Sequence, residues 1–75
     1  MRRFTDPEGR TWDVVVGRES FGAFLALFIP AAGTPAGNRQ ALLGAESRAD
    51  ADSELGALDE AGLNELLQRS EPKTG

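Results

Sequence analysis

The stretch FGAFLALFI, residues Phe21–Ile29, is nine residues long, carries no charge and is followed by Pro30. In an extended chain alternate side chains point to opposite faces, so the stretch divides into two apolar sets. These are Phe24, Ala26 and Phe28 on one face, and Leu25, Leu27 and Ile29 on the other. A buried helix would also explain so short an apolar run. The nearby Gly22 and the closing proline favour a strand over 23–29, and its two apolar faces predict a central position in a sheet.

The residues before this strand have the pattern of a β-hairpin. Asp6–Gly9 reads Asp-Pro-Glu-Gly and matches a β-turn, because Asp suits the first position and Pro fixes φ at the second. Residues 10–16 then alternate in β-branched and aromatic side chains, as a half-buried strand does. Phe4 is placed to pair across the hairpin with Trp12 or Val14.

The segments on either side of the central strand are predicted to be a turn and a loop, and the segment after the loop fits either a strand or a helix. Gly17–Ser20 is expected to end the second strand, because glycine and two charged neighbours suit a surface link. Residues 30–38 contain two Pro and two Gly and predict a loop. Arg39–Ala45 fits a fourth strand, but its Arg-Gln-Ala-Leu-Leu run is also good helix material.

The C-terminal third predicts two short helices. Ser47 and Asp59 are placed as N-caps, and apolar residues recur at helical spacing on the C-terminal side of each. The apolar stripes are Ala51, Leu55 and Leu58 in the first helix, and Leu63, Leu66 and Leu67 in the second. Residues 71–75 are expected to be a flexible tail after a single domain over 1–70. The order predicts an α+β fold, an antiparallel β-meander of three to four strands followed by two C-terminal helices packed on one sheet face.

The composition restricts the chemistry that the chain can perform. With 75 residues it is one small domain with a modest core. It has no Cys and no His, which removes disulfides, thiolate metal sites and the commonest general base. It also has no Tyr. We therefore expect a protein that is not an enzyme and binds neither a cofactor nor a metal.

Charge and hydropathy bear on the partners. The net charge is −4, and the acidic side chains concentrate after residue 45. An acidic chain is repelled by phosphate, so nucleic acid is not the expected partner. The apolar stretch is far shorter than the roughly 20 residues of a membrane span, and the N-terminus lacks the apolar run of a signal peptide. We expect a cytoplasmic protein without membrane contact.

The apolar surplus of the central strand predicts an interface. Two short helices can cover one face of the sheet, which leaves the other face in need of a partner. The candidate interface residues are Val15, Leu25, Leu27 and Ile29, with Arg18 at the rim. A second copy would close such a face and make a homodimer, although another protein or a strongly twisted sheet would bury the same residues. We expect a small interaction or accessory protein.

The basic hairpin provides an alternative. Its residues Arg2, Arg3, Arg10 and Trp12 could form a basic aromatic face for nucleic acid or for a regulator. Against this, Trp12 shares a face with two valines, which favours a place in the core.

Overall fold

The computed structural model describes residues 2–19 and 22–73 and has an α+β fold. The elements are β1 (Arg2–Thr5), β2 (Thr11–Arg18), β3 (Phe24–Pro30), β4 (Arg39–Leu42), α1 (Arg48–Ala57), α2 (Glu60–Gln68) and β5 (Glu71–Pro72). The five strands form one antiparallel sheet in chain order. The central strand predicted from the apolar stretch is therefore β3, in the middle of the sheet. Phe21, the first residue of the stretch, lies outside the described residues.

The predicted N-terminal hairpin is confirmed. The chain reverses at Asp6–Gly9, where the Gly9 N–H donates to the Asp6 carbonyl at 3.0 Å. Gly9 has φ of +84°, a conformation that favours glycine. Phe4 pairs directly with Trp12, and both side chains are buried.

The predicted break at Gly17–Ser20 is wrong for its first two residues, because β2 continues through Arg18. Gly17 pairs with Leu25 inside the ladder, and a Cβ on Gly17 would lie 2.6 Å from Leu27 Cδ1. The glycine therefore makes room for a leucine that leans across from β3. The chain turns only at Glu19, whose carbonyl accepts from the Gly22 N–H at 3.0 Å. Ser20 lies outside the described residues.

The other edge of the sheet corrects the predicted tail. Arg39–Leu42 is a strand, and Glu71–Pro72 pairs with it as β5, so the sheet has five strands rather than three or four. The Lys73 N–H donates to the Asn38 carbonyl at 2.9 Å. Residues 71–73 thus extend the sheet, and residues 74 and 75 lie outside the described range.

Both predicted N-caps are confirmed. Ser47 accepts from the Asp50 N–H at 3.1 Å, and Asp59 accepts from the Gly62 N–H at 2.8 Å. None of the helices in the described ranges is long and apolar enough to cross a membrane.

The core combines one alternate set of strand residues with apolar side chains of both helices. Its members are Phe4, Trp12, Val14, Phe24, Ala26, Phe28, Ala41, Leu43, Ala51, Leu55, Leu63, Leu66 and Leu67. At its centre the rings of Trp12 and Phe28 meet edge to face, 6.3 Å apart. The strand residues with the opposite parity do not belong to this cluster.

Candidate functional site

The strand residues that the core leaves out form a second surface, which we call the open face. Cross-strand pairing puts directly opposed residues on the same face of an antiparallel sheet. The register therefore assigns to the open face Arg3, Thr5, Thr11, Asp13, Val15, Gly17, Leu25, Leu27, Ile29, Gln40, Leu42 and Glu71.

The middle of the open face is apolar except for Gln40. Val15, Leu27 and Gln40 lie in one cross-strand row, and Leu25 lies opposite Leu42 in the next. Within the described residues, the exposed large hydrophobic side chains are Ile29, 38% exposed, and Leu42, 61% exposed. Both lie on this face, so the solvent-facing apolar surface of the described chain is concentrated here.

The structure brings together the four apolar residues predicted from the sequence. Val15 and Leu27 are half-buried neighbours, and Ile29 is exposed beside them. Leu25 is only 5% exposed, so it supports the face more than it offers contact area. Leu42, the most exposed of the set, was missed by the sequence reasoning. The alternation within Arg39–Ala45 places Leu42 and Ala41 on different faces of the strand. Only the register with β3 shows that the face of Leu42 is the open one.

The fifth predicted residue, Arg18, is not brought to the open face. It pairs with Phe24, and its guanidinium carbon lies 5.7 Å from the centre of the Phe24 ring. This cation–π contact covers the edge of the core. Because β2 continues through Gly17, the parity of the strand sends Arg18 to the face opposite Leu27.

A shallow depression of about 490 Å³ is bounded by β3, β4, β5 and the residue after α2, and its lining combines open-face residues with Ala41 of the core. Its lining includes Leu25, Gln40, Leu42, Arg69 and Glu71. The Gln40 side-chain oxygen, Oε1, is buried and has no hydrogen-bond partner among the described residues. A buried acceptor without a donor is unfavourable, because it has lost its water.

The charges of the open face compensate each other at the β1 side. Arg3 Nε lies 3.0 Å from Asp13 Oδ1, and the two residues oppose each other in the ladder. The hydrogen bond to Asp13 and the charge of this carboxylate raise the pKa of Arg3, which keeps the guanidinium charged. The exposed ion pair adds polarity without net charge to this border of the face.

The structure brings Arg10 to the Trp12 ring, 5.8 Å from its centre, but does not gather the four predicted hairpin residues on one face. Arg2 lies on the helix side, where its guanidinium donates to the Leu55 carbonyl at 3.0 Å and to the Leu58 carbonyl. Arg3 lies on the open face. Trp12 is 1% exposed, so it presents no ring on which a base could stack.

Arg10, the remaining basic residue, belongs to a cluster around the hairpin turn. Its guanidinium contacts Asp6 at 3.1 Å and Glu8 at 3.0 Å. Asp6 is buried and also accepts from the backbone N–H groups of Glu8 and Arg10 and from Trp12 Nε1. Four donors occupy its two oxygens, so this carboxylate holds the turn together and offers no acceptor to a substrate.

The acidic side chains of the described residues do not form a metal site. Among residues 2–19 and 22–73, no group of three or more potential ligands is placed to hold a metal ion.

Comparisons with protein-family models, with curated proteins and with solved structures find no match to the chain.

Proposed function

We propose that the chain is a small non-enzymatic interaction protein whose open face binds a second copy of itself. The observation that carries this proposal is the position of Ile29 and Leu42. They are the exposed large hydrophobic residues of the described chain, and both lie on the sheet face that the core does not use. A clustered apolar surface of this kind marks a site of association.

The dimensions of the molecule support a partner on this face. Its extents are 32 × 29 × 19 Å, and a thickness of 19 Å fits one sheet and one layer of helices. The broad face is large enough for the roughly 800 Å² that each partner contributes to a standard interface. Burying it against a second sheet would give Val15 and Leu27 the second apolar layer that they lack.

The distribution of charge favours a second copy as the partner. Residues 46–68, which include both helices, hold seven acidic side chains against Arg48. On the open face, Arg3 and Asp13 neutralise each other and the middle is apolar. Two copies that meet through this face keep their acidic helices apart, whereas a basic partner would be drawn to the helix side. We place the dimer in the cytoplasm, in keeping with the composition.

The nucleic-acid alternative has less support. Its aromatic residue, Trp12, is buried, and its arginines are paired with carboxylates or with helix carbonyls in separate places.

Sedimentation equilibrium over a concentration series tests the proposed dimer. Leu42→Glu is the informative variant, because its side chain is already solvent-exposed and the folded monomer should tolerate a charge. We expect a wild-type dimer and a dissociation constant for Leu42→Glu raised by at least about tenfold, since a buried unpaired charge opposes association. Ala61→Glu, which adds the same charge on the exposed side of α2, should behave as wild type.

Two results would contradict the proposal. One is a wild-type chain that stays monomeric near 1 mM, roughly the limit of weak association. The other is a dimer that Leu42→Glu leaves intact and Ala61→Glu disrupts, which would place the contact on the helix side.

A further inference from the structure

The amide of Gln40 is the polar exception in the middle of the open face. It lies in the row with Val15 and Leu27, and Leu42 follows two residues later on the same side. Its Oε1 is buried and has no partner within the described residues. The monomer therefore leaves an acceptor unsatisfied at the place where the proposed interface would exclude water.

A glutamine can be satisfied by another glutamine. The side-chain amide carries both a donor group and an acceptor, so two amides related by a two-fold axis can exchange a pair of hydrogen bonds. The interface of a symmetric dimer places the same patch on both subunits, so a residue on the axis meets its own copy. Of the side chains in the row, Gln40 is the one whose polar group needs such a partner.

We infer that the two-fold axis of the dimer passes through Gln40, so that the Gln40 amides of the two copies pair reciprocally. This inference rests on the proposed self-association through the open face. The torsion that orients a glutamine amide is broad, so rotation of the amide and of the exposed Leu42 beside it brings Oε1 to the surface.

An axis that runs across the strands along this row gives a consistent apolar contact. It brings Leu27 onto Leu27 and Val15 onto Val15 of the second copy, because both residues lie on the same row as Gln40. It also sets Ile29 opposite Leu25 of the second copy, since these residues flank Leu27 on either side. Glu71 would meet its own copy only at the edge, where solvent screens the repulsion.

The paired amides would set the register of the interface. Any offset between the two sheets would bury two amides without partners, whereas apolar side chains tolerate sliding. A single buried polar residue fixes register and oligomeric state in the same way in coiled coils. The structure thus assigns to Gln40 the selection of one dimer among several possible sheet contacts.

The test is Gln40→Glu, which keeps the size of the side chain and places two like charges at the axis. At about pH 7.5 we expect its dissociation constant to rise by at least roughly tenfold, and at about pH 4.5, close to the ordinary carboxyl pKa, we expect recovery. Gln68→Glu adds the same charge on the exposed side of α2 and should match wild type at both pH values. Circular dichroism and Trp12 fluorescence verify that each variant is folded.

A second variant covers the case in which a buried charge prevents folding. Gln40→Leu removes the amide and keeps the face apolar, so it should still associate but form a mixture of larger species instead of one dimer. A uniform Gln40→Leu dimer would overturn the register role, and a Gln40→Glu dimer as tight as wild type at about pH 7.5 would overturn the axis. If Gln40→Glu dimerises as tightly as wild type but Leu42→Glu dissociates the dimer, the open face remains the interface and only the position of the axis is rejected. A monomeric wild type would instead reject the proposed function.

Discussion

Trp12 donates a hydrogen bond from its indole Nε1 to Asp6 Oδ2 at 3.1 Å, and both residues are buried. Trp12 belongs to the core of the sheet, and Asp6 begins the turn of the β1–β2 hairpin. The same carboxylate accepts from the backbone N–H groups of Glu8 and Arg10, at 3.0 and 2.9 Å. One side chain therefore links the turn geometry to the position of the largest core residue.

The substitution Asp6→Asn should separate these two roles. Asparagine keeps an oxygen for the two backbone donors but places an NH₂ group where Oδ2 now accepts from Trp12 and Arg10. Because buried donors would then face each other, we expect the free energy of unfolding to fall by about 2–3 kcal/mol. Urea denaturation followed by Trp12 fluorescence measures this change.

The control for this substitution is Glu8→Gln, in the same turn. The Glu8 side chain is 69% exposed, so its loss of charge should change the stability by no more than about 0.5 kcal/mol. Equal effects of the two variants would mean that the charge of the turn matters and that the Trp12–Asp6 hydrogen bond does not.

The lowered pKa of Asp6 predicts that the protein loses stability in acid. Burial of Asp6 alone would raise its pKa, but hydrogen bonds from Trp12 and Arg10, together with the Arg10 charge, outweigh burial and lower the pKa. Because the folded pKa lies below the unfolded value of about 3.9, the contribution is complete above that pH and is lost as the pH falls through the folded pKa. The free energy of unfolding should therefore decline below about pH 4.

Comparison with Asp6→Asn isolates this group from the other carboxylates. The variant lacks the titrating carboxyl, so its stability should fall less steeply with acid over the same interval. Parallel curves for wild type and variant would show that other acidic groups account for the acid sensitivity.

Local patterns predicted most of the fold. The hairpin turn at Asp6–Gly9 and the caps Ser47 and Asp59 each depend on contacts within a few residues, which a sequence displays directly. The fifth strand depends instead on a contact across 31 positions. Arg39 donates to the Ser70 hydroxyl at 2.8 Å and to its carbonyl at 2.7 Å, and this contact returns the chain to the edge of β4. Nothing local in residues 71–73 indicates a strand.

The sequence predicted how the central strand divides its side chains between the core and the open face, but it did not predict which residues lie at the borders of that face. The alternation of the apolar stretch separates Phe24 and Phe28, which join the core, from Leu27, which does not. The position of Arg18 depends on whether the strand ends before it, and Gly17 carries no local sign that it accommodates a leucine side chain. Long-range register decides such positions, so the exposed Leu42 became visible only in the folded sheet.

Arg2 provides a third prediction, at the end of α1. Its guanidinium donates to the carbonyl of Leu55, in the last turn of α1, and to the carbonyl of the C-cap residue Leu58. Arg2→Ala should lower the free energy of unfolding by about 1–2 kcal/mol, because it removes these bonds and a cation near a helix C-terminus. Hydrogen exchange should show faster opening of the last turn of α1.

Arg3→Ala is the matched control for Arg2→Ala. Arg3 is the next residue on the same strand, but its side chain is 67% exposed and pairs with Asp13 at the surface. Its loss should leave the stability and the exchange of α1 nearly unchanged. Equal destabilisation by both variants would indicate that the charge of β1, and not the bond to the helix, is what matters.

Gly17→Ala tests the shape of the open face without adding a charge. The new Cβ would lie 2.6 Å from Leu27 Cδ1 and 2.9 Å from Leu27 Cγ, so the leucine side chain has to swing outward. Leu27 is only half-buried, and we expect the monomer to lose no more than about 1 kcal/mol of stability. The proposed self-association should weaken more than the fold, because Leu27 lies in the middle of the contact.

Gly56→Ala supplies the comparison for that result. A Cβ on Gly56 meets nothing within 4 Å, and the residue lies in α1, where alanine is favoured over glycine by up to about 1 kcal/mol. It should raise the free energy of unfolding in urea and leave the dissociation constant unchanged in sedimentation equilibrium. If Gly17→Ala dimerises as tightly as wild type while Leu27 is displaced, then the contact does not depend on the surface at Leu27, and the interface must lie elsewhere on the sheet.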